Sequence, residues 1–337
     1  MIKSIEIEKF RGIENGKLDD FTPLTILVGP NSSGKSTVLD ALFLGASTDP
    51  YKATSHFAGR NRNRLEARWL INNPHHNNEA VIKLTTDFLL NEETESRWFQ
   101  IKLQDGEQPE VNIYFDPNHT GPNFNLGGQT LFMTLHNQGI SASNRIETCL
   151  GVSDISYVDF DQDQNAVSLV DLYTRSIELG RRIPAQKALN EILPRLVQVE
   201  ILTYKNQPRL QTVYEDRSVP LAAEGEGIQA FMRLSLSLSA CADGTALLEE
   251  PEVHQYPRSL RMSAKTIVLA VNRGVQVVVS THSLELIDAL LTEAKEVEIL
   301  DKVSVFRLLL KDGCLKHSRT SGVDAEFVRF QIEDDLR

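Results

Sequence analysis

Cysteines are scarce in this sequence, and no hydrophobic run is long. The 337 residues include only three cysteines, Cys149, Cys241 and Cys314, which lie far apart and form no CxxC pair. Their spacing excludes a zinc ribbon and a disulfide framework, and it favours a reducing compartment. No apolar stretch approaches the roughly 18 residues that a membrane helix needs, and charged residues from Lys3 onward exclude a signal peptide. We therefore expect a soluble, cytoplasmic protein with no membrane partner.

Positive charge is also in deficit, with 35 Lys and Arg residues against 46 Asp and Glu residues and a formal net charge of −11. This balance excludes a protein that holds nucleic acid by its overall charge, because such binding needs excess Lys and Arg. Residues 50–75 are a local exception, with Lys52 and four arginines between Arg60 and Arg68 against the single acidic residue Glu66. A solvated loop is the simpler interpretation of this segment; contact with DNA phosphates or with a partner stays open.

The most specific motif is a glycine-rich loop. Residues 29–36 read GPNSSGKS and fit G-x-x-x-x-G-K-[ST], after a predicted buried strand at 24–28 and before a predicted helix at 36–44. In this pattern backbone amides and the helix N-terminus surround phosphates, the lysine reaches the β- and γ-phosphates, and the serine is a Mg²⁺ ligand. The sequence therefore predicts ATP and Mg²⁺ as ligands. The predicted nucleotide-binding residues of the loop are Asn31, Ser32, Ser33, Gly34, Lys35, Ser36 and Thr37.

Two further segments supply polar residues at the ends of predicted buried strands. Residues 246–252 read ALLEEPE, in which Glu249 is predicted to hold Mg²⁺ through water and Glu250 to polarise the attacking water. Residues 277–283 read VVVSTHS, in which His282 can hydrogen-bond a γ-phosphate oxygen or hold the attacking water. Lys35, Glu250 and His282 are thus the predicted catalytic residues. Surface glutamates and a capped turn are the simpler alternatives.

The remaining pattern predicts an α/β protein. Strands are predicted at 80–88, 98–103 and 111–115, then a helical stretch at 167–196 with a break at Pro184, and then a hairpin at 197–214. In the last third, helices and strands alternate, which favours a mostly parallel sheet, and a hairpin turns at 311–313.

These residues resemble the ABC-type ATPases of the SMC, RecF and OLD (overcoming lysogenisation defect) group, also known as AAA-family ATP/GTP phosphatases. The resemblance rests on IEIEKFRGI at 5–13, on GPNSSGKST at 29–37, on EEPE at 249–252 and on STHS at 280–283. It implies a P-loop ATPase head with a mixed central sheet, an antiparallel β-subdomain and a helical lobe. The expected divisions of a single composite head over 1–337 are a P-loop core at 1–45, a loop and antiparallel β insertion at 46–160, a helical lobe and hairpin at 161–223, a signature helix, carboxylate strand and switch at 224–295, and a C-terminal hairpin and helix at 296–337.

The resemblance also implies partners and further site residues. Two heads of that group close on two ATP molecules, so a homodimer or higher oligomer is expected. Arg11 would lie near the nucleotide, and Glu226 and Gly227 would occupy the signature that contacts the partner's γ-phosphate. Glu226 stands where serine is usual, and a carboxylate facing a phosphate is repulsive. Gln162 and Gln164 are the candidates for the family's Q-loop glutamine.

Several functions fit this resemblance. Only 54 residues follow Ser283, so we expect no Toprim nuclease domain of the OLD kind. The leading hypothesis is an ATPase head whose ATP-controlled dimerisation gates a separate effector, a nuclease or toxin, in bacterial antiphage defence. The alternative is a DNA repair or maintenance clamp of the RecF or SMC kind. A transporter subunit is disfavoured by the missing Ser-Gly signature.

Overall fold

A computed structural model describes residues 1–47, 79–90, 93–104, 110–116, 129–136, 139–142, 155–160 and 168–337. The basic segment around Arg60–Arg68 and the glutamines Gln162 and Gln164 lie outside these ranges. The helices are α1 (Lys35–Ala46), α2 (Leu169–Glu178), α3 (Arg182–Ile192), α4 (Glu226–Ala240), α5 (Pro257–Asn272), α6 (Leu284–Glu296) and α7 (Gly322–Phe327).

Within the described residues, the strands form one large mixed sheet and one small antiparallel sheet. The strands of the large sheet are β1 (Ile2–Phe10), β2 (Ile13–Leu18), β3 (Leu24–Val28), β4 (Glu79–Leu90), β5 (Glu93–Gln104), β6 (Glu110–Asp116), β7 (Gln129–His136), β8 (Gly139–Ala142), β9 (Ile155–Asp159), β13 (Thr245–Glu249), β14 (Gln276–Ser280), β15 (Val303–Lys311) and β16 (Cys314–Ser321). Their order is β8-β7-β6-β5-β4-β1-β2-β16-β15-β3-β14-β13-β9. The small sheet contains β10 (Leu196–Tyr204), β11 (Gln207–Tyr214) and β12 (Ser218–Pro220).

Most of the parallel pairing lies in one part of the large sheet, and β2 also pairs in parallel with β16. Strands β9, β13, β14, β3 and β15 run parallel, whereas the meander from β4 to β8 is antiparallel and joins the sheet through β1. The predicted α/β fold, with a mixed sheet and antiparallel strands, is confirmed. Because parallel strands end at the same edge, the residues that follow β3, β13 and β14 come together there.

The central parallel strands β3, β13 and β14 are buried on both faces, which explains why they read as nearly continuous apolar runs. Side chains on one face of these strands, among them Leu27, Leu247 and Val278, pack in a cluster with α1. The intervening residues pack in a second cluster that also contains side chains of α5 and α6. Each of the three central strands thus separates two halves of the core.

Two predicted hairpins are confirmed, and each has a two-residue turn. Lys205 and Asn206 join β10 to β11 with φ of 49° and 61°, and Asp312 and Gly313 join β15 to β16 with φ of 51° and 75°. Positive φ at both central positions is the geometry of a type I′ turn, whose twist matches that of the flanking strands.

The predicted break at Pro184 is wrong. Helix α3 begins at Arg182 and runs through Pro184, and the chain turns at Gly180, which has φ of 66°. Proline is tolerated in the first turn of a helix, because the N–H that it lacks would have no intrahelical acceptor there. The glycine, which adopts a left-handed conformation without steric cost, separates the two helices.

Strand β2 was not predicted. It reads IENGKL and buries only its two end residues, Ile13 and Leu18, so its apolar pattern is too sparse to identify. Its pairing with β1 and β16 keeps it in the sheet. Among the described residues, no helix is both long and apolar enough to cross a membrane.

A buried glutamine connects the first strand to the central sheet. Gln276, only 3% exposed, accepts a hydrogen bond from the backbone N–H of Ile2 at 2.7 Å and donates one to the Ile2 carbonyl oxygen at 2.8 Å. Its carbonyl oxygen also accepts from the Thr245 hydroxyl at 3.2 Å. One side chain therefore satisfies both backbone groups of a buried residue 274 positions away.

We predict that Gln276→Leu lowers the free energy of unfolding by about 3 kcal/mol, because it leaves two buried backbone groups unsatisfied. The matched control is Gln207→Leu, which changes an exposed glutamine and should stay within about 0.5 kcal/mol of wild type. Urea unfolding measures both. Equal stability of the two variants would contradict the bridging role of Gln276.

Candidate functional site

The glycine-rich loop leaves the end of β3 and enters α1 through left-handed backbone. Gly29 has φ of 140°, and a Cβ there would lie 2.5 Å from the Leu308 carbonyl oxygen. Ser32 and Gly34 have φ of 64° and 96°, and Gly34 is the residue before the first turn of α1. Left-handed residues within such a turn direct successive N–H groups into one concavity, and this geometry binds anions.

Lys35 occupies the first position of α1 and turns back into the loop. Its Nζ donates to the carbonyl oxygens of Gly29 at 2.9 Å and Pro30 at 3.1 Å, and the residue is only 5% exposed. Burial lowers the pKa of Lys35, while the carboxylates of Glu250 and Glu252 act in the opposite direction. The ammonium therefore binds the loop carbonyls and experiences the charge of the two carboxylates.

The other loop residues divide by exposure. Asn31 and Ser32 are exposed, Ser36 and Thr37 are half-buried, and Ser33 is buried with an Oγ that has no hydrogen-bond partner. The first N–H groups of α1 have no intrahelical acceptors, as in any helix. The loop thus combines these amides with an unpaired hydroxyl at the start of a helix, where the dipole favours negative charge.

Strand β13 places two carboxylates at the same sheet edge. Glu249 is its last residue and lies in register with Ser280 at the end of β14; its Oε2 accepts a hydrogen bond from the Tyr157 hydroxyl at 2.8 Å. Glu250 follows with φ of 48°, and its N–H donates to the Ser280 carbonyl oxygen at 3.0 Å. This left-handed residue turns the chain out of the strand, so the two adjacent glutamates differ in backbone conformation.

His282 faces Glu250 across this edge. Its Nε2 lies 3.4 Å from Oε1 of Glu250, and both side chains are partly exposed. Burial is the main cause that lowers the pKa of His282 below its ordinary value; the cations Lys35 and Arg337 act in the same direction and Glu250 opposes them. The imidazole is therefore biased toward its neutral form at neutral pH.

Glu252, for which the sequence predicts no role, connects the loop after β13 to the loop after β14. Its Oε1 accepts hydrogen bonds from the Thr281 hydroxyl at 2.6 Å and from the backbone N–H of His282 at 3.0 Å. Its Oε2 is buried without a partner, and burial raises the pKa of this carboxyl despite the two hydrogen bonds. No local pattern distinguishes Glu252 from its neighbours, because its partners come from another strand.

Arg11 makes its ion pair with the first helix. Its guanidinium pairs with the carboxylate of Asp40, which is completely buried on α1. Asp40 lies four residues after Ser36, about 6 Å along the helix axis at 1.5 Å per residue. This pair joins the end of β1, where Arg11 has φ of 51°, to the helix that begins at the glycine-rich loop.

Glu226 and Gly227 lie at the start of α4, next to the loop that follows Glu252. Oε2 of Glu226 lies 3.2 Å from Nδ1 of His254, and the two side chains are 77% and 45% exposed. A Cβ at Gly227 would approach the His254 carbonyl oxygen to 2.7 Å, so this position requires a residue without a side chain. The predicted signature therefore has a histidine beside its carboxylate, a neighbour that the sequence did not indicate.

The oxygen donors at this edge suit magnesium. Ser36 supplies a hydroxyl and Glu249 supplies a carboxylate, and such oxygen groups are the hard ligands that Mg²⁺ prefers. Among the described residues, no group of three or more His, Cys, Asp or Glu side chains could hold a metal by itself. A cation that keeps several water or phosphate ligands fits this donor set better than one held entirely by protein.

The chain is similar to several known proteins and to one family model. The family model described as "AAA domain, putative AbiEii toxin, Type IV TA system" matches residues 24–288. An ATP/GTP phosphatase of Helicobacter pylori is 22% identical over an alignment covering all of both chains. The replication and repair protein RecF of Lachnoclostridium phytofermentans is 44% identical over 55 residues, which are 16% of this chain and 15% of that protein.

Among solved structures, an SMC head bound to the C-terminal winged-helix domain of ScpA is similar to this chain with a TM-score of 0.56 and 14% identity. The match covers 95% of this chain and 98% of that chain. The similarity shows a shared fold over nearly the whole of both chains.

We predict that Glu252→Ala lowers the free energy of unfolding by about 2 kcal/mol, because it removes two hydrogen bonds to a charged acceptor. Glu252→Gln keeps an acceptor and should cost less than about 1 kcal/mol. The raised pKa of Glu252 means that the folded state binds its proton more tightly, so the contribution of this carboxyl group to stability falls as pH rises above the ordinary value of 4.5. Glu252→Gln should therefore gain stability relative to wild type between about pH 5 and about pH 8.

Urea unfolding of wild type and both variants at the two pH values tests this prediction. If alanine and glutamine had the same effect, the hydrogen bonds to Thr281 and His282 would not stabilise the fold. A difference between wild type and Glu252→Gln that did not change with pH would show that burial does not perturb the carboxyl group.

Proposed function

The chain belongs to the AAA-domain family and is a P-loop ATPase of the AAA, SMC and RecF type, and on that premise we propose that it hydrolyses ATP with Lys35, Glu250 and His282. The observation that carries this proposal is their convergence at one sheet edge. Lys35 Nζ is bound to the loop carbonyls, and Glu250 and His282 approach within 3.4 Å of each other from two adjacent strands.

The loop and its lysine would bind the phosphates. The amides at the start of α1 and the buried hydroxyl of Ser33 offer donors to phosphate oxygens. Lys35 would exchange its two carbonyl acceptors for oxygens of the β- and γ-phosphates. Its positive charge would then form charge-assisted hydrogen bonds with the negatively charged phosphates. Ser36 and Glu249 would hold Mg²⁺, which neutralises charge on the phosphates and is an expected cofactor of this site.

The carboxylate and the imidazole would act on the attacking water. Glu250 is partly exposed at the sheet edge and can accept a proton from water, whereas Glu249 already accepts a hydrogen bond from Tyr157. His282, neutral at pH 7 because its pKa is lowered, can accept one hydrogen bond while donating another. It would therefore orient the water or contact a γ-phosphate oxygen.

The biological role that we propose is control of a second protein. An ATP-bound homodimer would form when each head presents Glu226 and Gly227 to the partner's nucleotide. The contact of Glu226 with His254 supports this assembly, because a hydrogen bond from the histidine would reduce the repulsion between the carboxylate and a phosphate. Dimerisation would then gate an effector, a nuclease or toxin, and a role in antiphage defence would follow from such gating.

DNA is the partner in the second candidate function, a repair or maintenance clamp. The short match to RecF favours it, since that protein is named for replication and repair. The strongly negative net charge of the chain restricts any contact with DNA to a local surface.

We predict that Lys35→Ala weakens ATP binding more than about ten-fold, because it removes a charge-assisted interaction. Glu250→Gln should keep ATP affinity near that of wild type and lower kcat by about 100-fold or more, as expected for loss of a general base. Isothermal titration with Mg-ATP and a phosphate-release assay measure these effects. Lys187→Ala and Glu215→Gln, at exposed positions outside the site, are the matched controls.

If Lys35→Ala bound and hydrolysed ATP like wild type, the proposed phosphate site would be wrong. If Glu250→Gln retained wild-type turnover while Glu249→Gln did not, the base would be Glu249.

We also predict that Glu250→Gln forms a dimer in Mg-ATP, because bound ATP persists when hydrolysis is slow, and that the double variant with Lys35→Ala stays monomeric. Light scattering after gel filtration measures the molar mass. Purification of tagged protein from its own host in Mg-ATP then identifies the partner. A stoichiometric nuclease or toxin supports the gating role, whereas nucleic acid without such a protein supports the clamp.

A further inference from the structure

The last residues of the chain turn back toward the candidate site. After α7 the helix continues as a π-helical turn at Val328–Ile332, and Glu333 then reverses the chain with φ of 61°. Arg329 fixes this reversal, because its guanidinium binds both carboxylate oxygens of Asp288 on α6 at 2.7 and 2.9 Å. A third nitrogen of Arg329 donates to the Asp334 carbonyl oxygen at 2.6 Å.

Two contacts hold the residues beyond this reversal. Leu336 packs against the hydrophobic cluster that contains α5 and α6. The carboxylate of Asp335 accepts hydrogen bonds from Nε and Nη2 of Arg337 at 3.0 and 2.8 Å, and this pairing lowers the pKa of Asp335 to about 2. The guanidinium of Arg337 is thereby oriented before it meets the site.

The remaining nitrogen of Arg337 contacts His282, in the loop after β14. Nη1 donates to the backbone carbonyl oxygen of His282 at 3.0 Å. The backbone N–H of the same residue is bound by Glu252, and its Nε2 faces Glu250 at 3.4 Å. The guanidinium of Arg337 therefore binds the backbone carbonyl of His282, and the side chain of Glu252 binds its backbone N–H.

We propose that Arg337 is a positioning residue of the ATPase site, which fixes the orientation of His282 toward Glu250 by binding its backbone carbonyl. This proposal rests on the proposed function, because it assigns to the C-terminal segment a part in the reaction of His282. The segment 333–337 is then a component of the site, although it lies more than 50 residues after His282 in the sequence.

The charge of Arg337 supports the same assignment. The groups that face His282 are the carboxylates of Glu250 and Glu252 and the cations Lys35 and Arg337. Arg337 is one of the causes that lower the pKa of the imidazole. Its removal should raise that pKa, so any step that follows His282 titration should move to higher pH.

The test compares Arg337→Ala, Arg337→Lys and, as a matched control, Arg195→Ala, which changes an exposed arginine of the helical lobe. We expect Arg337→Ala to lower kcat by about three- to ten-fold, with KM for ATP within about two-fold of wild type, because the phosphate-binding loop is unchanged. Arg337→Lys keeps the charge and one donor, so it should recover part of the rate. Arg195→Ala should match wild type.

Nuclear magnetic resonance of the full-length protein with ¹³C-labelled histidine gives a readout that does not depend on ATP. The His282 resonance, assigned by its absence in His282→Gln, should titrate at higher pH in Arg337→Ala and near the wild-type pH in Arg337→Lys. Wild-type kcat together with an unchanged His282 titration in Arg337→Ala would overturn the proposal. An effect on KM alone would also overturn it, since that would indicate contact with the nucleotide.

These results separate the two proposals. If Lys35→Ala and Glu250→Gln hydrolysed ATP like wild type, the proposed function would fail, while the His282 titration would still report whether Arg337 acts on the imidazole. If those two variants behaved as predicted and Arg337→Ala did not, the positioning role alone would fail.

Discussion

Parallel pairing of β3 with β14, and of β14 with β13, is the constraint on which the site depends. Because the three strands end at one edge, the glycine-rich loop, the two glutamates and the loop of His282 meet there, although Gly29 and His282 lie 253 positions apart in the sequence. Both faces of these strands are covered by helices, so their register is determined by side chains packed on both sides. A shift of one residue in β14 would exchange its two faces and move His282 relative to Glu250.

A few charged groups at this edge, two cations and two carboxylates, determine the pKa shifts of Lys35 and His282 together with burial. Burial of Lys35 disfavours its charge, and the glutamates that follow β13 oppose that effect. The same glutamates lie beside His282, whose pKa burial and nearby cations lower. Phosphates at this position would add negative charge next to Lys35 and would favour its protonated form. Binding of a phosphate would therefore be coupled to protonation of Lys35. The coupling would extend to protonation of His282, because the charge of Glu250 acts on both Lys35 and His282.

The parts of this arrangement that could be predicted from the sequence are those encoded locally. The glycine-rich loop, the strand–loop–helix order and the glutamates after β13 follow from adjacent residues. The break assigned to Pro184 was wrong because a proline in the first turn of a helix does not end it. The roles of Glu252, Asp40 and Gln276 were not predictable, since their partners lie 29 or more residues away in the sequence. Tertiary packing, by strand pairing for Glu252 and Gln276 and by packing of α1 for Asp40, brings these groups within hydrogen-bond distance.

The loop after Glu250 also connects the candidate site to the start of α4. Gly227 is packed against the His254 carbonyl, and His254 pairs with Glu226, so this loop contacts the predicted partner-facing residues directly. The same loop holds Glu252, which binds the backbone of His282. A movement of α4 on contact with a second head would press on the His254 backbone, because close-packed atoms transmit displacement. The short path from Glu226 to His282 is therefore a physical route by which the proposed assembly would change the geometry of Glu250 and His282.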